Sequence, residues 1–131
     1  MQVLLDTNSL LWAMGDTLDP ASADLLEDGT NTILYSTVSI WEIVIKKGLQ
    51  KESFEIDVYE LIDTLQDAGY KRLDITEDHI ITVGLLPHIH KDPFDRLLVA
   101  QAQYERLTLL TSDELVREYG ISTRSSRYKA G

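Results

Sequence analysis

Short apolar runs that are typical of buried strands alternate along this chain with longer stretches of helical pattern. Val3-Leu4-Leu5 precedes a helical stretch from Ser9 to Met14, and the run from Thr32 to Tyr35 leads into a Ser- and Thr-rich helix start. A third strand-like run spans Leu107 to Leu110 after another helical stretch. Strands that alternate with helices predict the α/β fold class with a mostly parallel sheet.

An acidic residue ends a strand or opens a helix in each of four separate stretches. Asp6 follows the first strand, Glu42 lies near the start of the helix after the second, and Asp113 closes the third. Asp95 lies in a helix start for which Pro93 suits the first position. Parallel sheets gather their sites at the carboxyl ends of the strands, so we predict that the four carboxylates meet there. Carboxylates without Cys suit a hard divalent cation such as Mg²⁺ and indicate a metal-dependent phosphodiesterase.

Glu42 also has a purely structural explanation. Ser39 to Glu42 matches a capping box, and Glu42 to Lys46 is a well-oriented i,i+4 ion pair. Against this explanation, Glu42 shares a helix face with apolar residues, where a carboxylate needs a partner. The pattern alone therefore leaves both roles open for Glu42.

The other acids differ in how readily stability alone explains them. Asp92 before Pro93 is a good N-cap, which we favour over a direct metal role, and Asp95 is then the third residue of the capped helix. Asp113 is placed to cap a following short helix. Asp6 has the weakest structural explanation, because a bare carboxylate at the end of a buried strand has little structural purpose. Their coincidence favours a shared site.

Four motifs occur in the order LLDTN, a Ser-Ile-Trp-Glu helix start, HKDPFDRLLVAQA and LLTSD. Together they closely resemble the PIN-domain nucleases, in detail the VapC-type toxins of bacterial toxin–antitoxin pairs, from Val3 to about Ile121. The resemblance implies a single PIN domain over residues 1–131, a three-layer α/β/α domain with a mostly parallel sheet of about four or five strands. It also implies a Mg²⁺- or Mn²⁺-dependent endoribonuclease that hydrolyses RNA phosphodiester bonds with metal-activated water.

The resemblance also guides the expected role of each position. We expect Asp6 and Asp95 to be the principal metal ligands, with Glu42 and Asp113 as further ligands or as supports through water. In the resembled subgroup the position of Asn8 is often His, so Asn8 favours a supporting or capping role over proton transfer. The remaining supporting candidates either position a water molecule or cap a helix; they are Asp92, Thr111 and Ser112.

The net charge of −10 opposes binding to nucleic acid, because nonspecific nucleic-acid binders are usually basic. Bound divalent ions would offset part of this charge, and basic residues concentrate near the predicted site and in the C-terminal segment. We therefore expect weak, salt-sensitive binding to a short or structured RNA. The candidates for RNA contact are Lys46, Lys91, Arg96, Arg124 and Arg127.

Two further sets of residues are interpreted as structural. His88-Ile89-His90 has a spacing that suits a transition metal, but no third ligand is evident nearby, and we favour a loop. Trp12, Trp41 and Phe94 lie at helical spacing with other apolar residues and are interpreted as core or dimer surface.

The expected partners follow mainly from the resemblance, which implies an RNA substrate and a VapB-like antitoxin whose disordered tail folds over the site. Amphipathic stretches from Ser22 to Glu27 and from Val58 to Leu65 suit a groove and a homodimer face, although we slightly favour ordinary packing on the core. No transmembrane segment or signal peptide is visible, and the absence of Cys fits a cytoplasmic protein without membrane association. The alternative function is a non-catalytic PIN-fold RNA- or protein-binding module, against which the complete set of acids argues.

Overall fold

Strands and helices alternate along nearly the whole of the computed structural model, which describes residues 1–49 and 56–129. Most of the polar connection predicted over residues 52–57 therefore lies outside the described residues. None of the described helices is long and apolar enough to cross a membrane. The elements in chain order are β1 (Gln2–Leu5), α1 (Thr7–Met14), α2 (Pro20–Glu27), β2 (Thr32–Ser36), α3 (Thr37–Gly48), α4 (Val58–Asp67), β3 (Lys71–Leu73), α5 (Glu77–Leu85), α6 (Pro93–Glu105), β4 (Thr108–Thr111), α7 (Glu114–Arg117) and β5 (Thr123–Ser125).

The strands form one five-stranded sheet in the order β3-β2-β1-β4-β5, and every neighbouring pair is parallel. The predicted fold class is therefore confirmed. β1 is the central strand, with Leu4 beside Leu34 of β2 and Leu5 beside Leu110 of β4. This register brings the carboxyl ends of the three central strands to one edge of the sheet, where the segments carrying the predicted acids begin.

Successive residues of the central strands pack into two separate cores, one on each face of the sheet. Leu4 and Leu109 belong to a cluster with α6, whereas Val3, Leu5 and Leu110 belong to a cluster with α1 and α4. Side chains alternate between the faces of a strand, and strands covered on both faces carry apolar residues at nearly every position. The uninterrupted apolar runs in the sequence thus give a sheet between two helical layers.

Two helices begin directly at the ends of strands, earlier than the sequence predicted. Ser36 is the N-cap of α3 and accepts a hydrogen bond from the Val38 amide at 3.0 Å. Ser39 lies inside that helix and is fully buried, so the predicted capping box from Ser39 to Glu42 is wrong. Asp6 similarly caps α1, which begins at Thr7 and not at Ser9. A strand-end residue with extended backbone and a short polar side chain provides the cap, so no intervening loop is needed.

The predicted amphipathic stretches form α2 and α4, and both contribute to the same core. Leu61 and Leu65 of α4 are buried, and Leu25 and Leu26 of α2 pack against that cluster. The preferred interpretation of both stretches as core-facing helices is confirmed by these contacts.

The three aromatic residues predicted to lie in the core or a dimer surface are exposed or only partly buried; they are Trp12, Trp41 and Phe94. Trp41 is 50% exposed and meets Phe94 edge to face, with ring centroids 4.8 Å apart. Trp12 is half-buried against Tyr128. Neither tryptophan belongs to the buried core, so the core alternative for these two residues is wrong.

Candidate active site

Asp6 links the central strand, the first helix and the end of β4. Its backbone amide donates to the carbonyl of Leu110 at 3.0 Å. Its carboxylate accepts from the Ser9 amide at 2.7 Å through Oδ1 and from the Ser112 amide at 3.3 Å through Oδ2. Burial raises the pKa of Asp6, and these hydrogen bonds oppose the rise. The expectation that Asp6 has little structural purpose is therefore wrong, because its carboxylate also caps α1.

Glu42 is buried on α3, and both of its carboxylate oxygens have partners. Thr7 Oγ1 lies 2.6 Å from Oε1, and Lys46 Nζ lies 2.7 Å from Oε2. The predicted ion pair with Lys46 is confirmed. Thr7, which also lies 3.0 Å from Ser39 Oγ, was not identified from the sequence. Its position beside Asp6 in the LLDTN motif was the one sequence feature that could have indicated a role. The contact itself joins α1 to α3, which are distant in the chain.

Asp95 lies at the start of α6, and its carboxyl group has a strongly raised pKa. Its pKa is raised from 3.8 to about 7, first by burial and then by the charge of Asp92. The charges of Glu42 and Asp6 raise it further, whereas His90 lowers it. A pKa shaped by three other acids shows that these carboxylates share one electrostatic neighbourhood.

Asp92 caps the start of α6. Its Oδ1 accepts hydrogen bonds from the amides of Phe94 and Asp95 at 2.8 and 3.2 Å. The predicted N-cap and the position of Pro93 as the first helical residue are confirmed. Asp92 therefore influences Asp95 through its charge while its side chain faces the helix terminus.

His90 joins the loop before α6 to the end of β4. Its Nε2 lies 2.7 Å from Asp113 Oδ2 and 3.2 Å from Asp95 Oδ2. One ligand atom from each of these three residues lies within 4.8 Å of the others. The loop predicted for this segment is confirmed, but the expectation that no further ligand lies near His90 is wrong. The sequence pattern did not reveal Asp113 as a partner because it lies 23 residues away in the chain.

The remaining supporting candidates stand around the end of β4 and the first turn of α1. Thr111 is buried, and its hydroxyl oxygen accepts from the Asp113 amide at 3.0 Å. Ser112 contributes its backbone amide to Asp6. Asp113 caps α7 by accepting from the Leu115 amide at 2.8 Å, as predicted. Asn8 is exposed on α1, and its predicted supporting role remains untested.

The basic candidates occupy different settings. Lys46 lies at the acidic cluster, and Lys91 is exposed in the loop that precedes α6. Arg124 lies on the edge strand β5, and Arg127 is exposed in the C-terminal segment, where its backbone amide donates to Asp19. These positions leave their proposed RNA contacts untested.

Arg96 has a structural role that its sequence position did not reveal. Its guanidinium donates to the carbonyls of Val83 and Pro87 at 3.1 and 3.0 Å, and to the Tyr119 hydroxyl at 3.2 Å. These bonds tie the end of α5 and the following loop to α6. These contacts leave the predicted RNA contact of Arg96 untested.

The donor set fits a divalent cation that prefers oxygen. Asp95 and Asp113 bring carboxylate oxygens close together, and the charges of Asp92, Glu42 and Asp6 add to burial in raising the pKa of Asp95. A bound cation would remove this penalty, and Mg²⁺ or Mn²⁺ is favoured by such ligands. The clustering therefore supports the predicted ion on chemical grounds.

Thr7→Val is expected to destabilise the metal-free protein by about 1–2 kcal/mol more than Thr7→Ser. Valine leaves a buried oxygen of Glu42 without its hydrogen bond, whereas serine keeps the hydroxyl and loses only a methyl group. Urea unfolding in EDTA measures the difference. Equal losses for the two variants would show that the hydroxyl contributes nothing to holding Glu42.

Comparison with known proteins gives a family and a fold. The profile of the PIN domain matches residues 3–121, nearly the same span over which the motifs show their resemblance. No curated protein matches the sequence.

Several solved structures share the fold. The chain is similar to VapBC2 from Rickettsia felis bound to a promoter DNA fragment, with TM-score 0.72 and 18% identity over 97% of this chain and 100% of that chain. DNA-bound VapBC from Salmonella typhimurium gives TM-score 0.71 and 15% identity over 95% and 98%. VapBC-1 from nontypeable Haemophilus influenzae gives TM-score 0.68 and 18% identity over 95% and 98%. At these identities the similarity establishes the architecture.

Proposed function

This chain belongs to the PIN-domain family, and on that premise we propose that it is a Mg²⁺- or Mn²⁺-dependent endoribonuclease acting as a VapC-like toxin. The observation that carries the proposal is the cluster of His90, Asp95 and Asp113, whose ligand atoms lie within 4.8 Å of one another, with the charges of Asp6 and Glu42 acting on the same Asp95. Stability alone favours dispersing such charges. Carboxyl groups that lie close together despite this cost are the pattern expected of a functional site.

Each acid has a distinct place in the proposed reaction. Asp6 and Asp95 would hold the cation, and Glu42 and Asp113 would complete or support its binding. When bound, the cation supplies polarisation of a phosphoryl oxygen and a lower pKa for a water molecule. Thr7 holds one oxygen of Glu42 with its hydroxyl group.

Lys46 is placed to pair either with Glu42 or with an RNA phosphate. It neutralises Glu42 in the metal-free state, and its side chain is 43% exposed, so its ammonium group can turn to an RNA phosphate. With Lys91 in the adjacent loop, it provides local positive charge in a protein of net charge −10. We therefore propose RNA binding that weakens strongly as salt is added.

We propose a VapB-like antitoxin as the protein partner, because the similar structures are described as VapBC assemblies. A groove of about 350 Å³ between α1 and α4 provides a surface for it. Its lining is apolar at Leu11, Met14 and Leu61, with Asp57 and Glu60 at the same groove. An amphipathic segment with basic residues suits this combination. The predicted homodimer, the single-domain organisation and the cytoplasmic location remain predictions.

Cleavage of RNA tests the proposed function. Purified protein free of antitoxin is expected to cut total RNA with Mg²⁺ or Mn²⁺ and not with EDTA. Asp6→Asn is expected to reduce cleavage more than about 100-fold, because a metal ligand is lost. Asp24→Asn removes the same charge from an exposed position on α2 and is the matched control.

The possible results separate a nuclease from a binding module. Cuts that disappear with EDTA and Asp6→Asn, but persist in Asp24→Asn, support the enzyme. Metal-independent cuts, or equal activity of the two variants, contradict the assigned site. RNA binding without cleavage at any metal concentration would favour the alternative of a non-catalytic PIN-fold module.

A further inference from the structure

We propose that His90 is a positioning residue that holds Asp95 and Asp113 together through its Nε2–H group without itself binding the cation. This inference rests on the proposed function, because it concerns the geometry of the same site. It assigns a role in the site to His90, for which the sequence pattern favours an ordinary loop. The contacts on the two ring nitrogens carry it.

The backbone at His90 is held by a hydrogen bond to Tyr119. The His90 amide donates to the Tyr119 hydroxyl at 2.8 Å, and Arg96 donates to the same hydroxyl at 3.2 Å. The loop, α6 and the segment after α7 are therefore linked at one point. The side chain of His90 is only 14% exposed, so its ring has little freedom to leave the acids.

The hydrogen bond on Nδ1 decides which ring nitrogen carries the proton. The Asp92 amide donates to His90 Nδ1 at 3.0 Å, and a nitrogen that accepts such a bond has its lone pair available. The proton of the neutral ring must then lie on Nε2. Nε2 is therefore a donor in this arrangement and presents no lone pair to a metal ion.

The proton on Nε2 points to two carboxylates from different elements. Asp113 Oδ2 is 2.7 Å away and Asp95 Oδ2 is 3.2 Å away. Asp113 Oδ1 is held separately by the Leu115 amide. A shared donor allows two acids that would repel each other to stay within reach of one ion. The cation site that results has oxygen ligands only, as Mg²⁺ and Mn²⁺ prefer.

The ring proton can be located by nuclear magnetic resonance on protein with ¹⁵N-labelled histidine. Long-range ¹H–¹⁵N correlations are expected to show the Nε2–H form of His90 in EDTA and after addition of Mg²⁺. The spectrum of His90→Gln identifies the signals. A proton on Nδ1 in EDTA, or loss of the Nε2 proton when Mg²⁺ binds, would overturn the proposal.

Mn²⁺ affinity, measured by electron paramagnetic resonance, tests the consequence for the site. Gln carries an amide donor close to the position of Nε2, so His90→Gln is expected to stay within about threefold of wild type. His90→Asn and His90→Ala lack a donor there and are expected to lose about 10–100-fold. His88→Gln alters the exposed neighbouring histidine and is expected to match wild type.

The outcomes distinguish this inference from the proposed nuclease. His90→Gln as weak as His90→Ala, His90→Ala as tight as wild type, or ¹⁴N coupling from a coordinated imidazole in the Mn²⁺ spectrum would each overturn the positioning role. Wild-type binding of Mn²⁺ without RNA cleavage would contradict the nuclease and leave the positioning role supported by the variant series. Wild-type protein that binds no Mn²⁺ would overturn both.

Discussion

Asp95→Asn is expected to make the metal-free protein about 2–3 kcal/mol more stable above pH 7. The side chain of Asp95 is 25% exposed, and its burial and the acids around it raise its pKa from 3.8 to about 7. Full conversion of that shift gives about 4 kcal/mol, and the residual exposure lowers the expected value. Asparagine keeps the shape and removes the charge.

The same substitution is expected to flatten the dependence of stability on pH. The folded-state pKa of Asp95 lies above its unfolded value, so protonation favours the folded protein. This stabilisation is fully present below about pH 4 and is lost as the pH rises through about 7. Urea unfolding in EDTA across this range measures it for wild type, Asp95→Asn and the Asp24→Asn control. If Asp95→Asn gains no more than the control, crowding of the carboxylates does not cost stability.

Gln101→Ala is expected to destabilise the protein by about 3 kcal/mol. Gln101 is fully buried on α6, where its Oε1 accepts from the Ser36 hydroxyl at 2.5 Å and its amide contacts His79 Nδ1 at 3.3 Å. Alanine leaves a cavity and takes away the acceptor of a buried hydroxyl, and each effect costs on the order of 1–3 kcal/mol. Ser36 also caps α3, the helix that carries Glu42, so the loss extends to the site.

Gln103→Ala is the matched control for this substitution. Gln103 is exposed on the same helix, and the change in helix propensity is identical. Its unfolding free energy is expected to stay within about 0.5 kcal/mol of wild type. Thermal or urea unfolding compares the two variants, and equal losses would show that Gln101 contributes through the helix alone.

Sequence patterns revealed the three central strands because those strands are covered on both faces. The edge strands β3 and β5 escaped notice since each is only three residues long and includes an exposed basic residue. A strand is recognised in a sequence by its buried apolar residues, and an edge strand of three residues has too few of them to give a recognisable pattern. Pairing with β2 and β4 creates these strands, so their local sequence does not mark them.

The acids themselves were recognisable, but their partners were not. Asp6 and Asp113 follow strand-like runs, and Glu42 and Asp95 lie in the first turns of helices whose starts the sequence displays. The contact of Thr7 with Glu42 spans 35 residues, and that of His90 with Asp113 spans 23. Such contacts depend on how helices pack across the sheet, and no local pattern encodes them.

The direct passage from strand to helix at Asp6 and at Ser36 restricts how chains of this architecture can vary in length. At Asp6 one residue ends the hydrogen-bonded ladder with its backbone and starts α1 with its side chain. An inserted residue would reverse which face of the strand receives the following side chains and would remove the cap. Additions to the chain are accommodated more readily in surface connections, where no side chain serves both elements. Insertions at the acidic edge are thus expected to be poorly tolerated in this architecture.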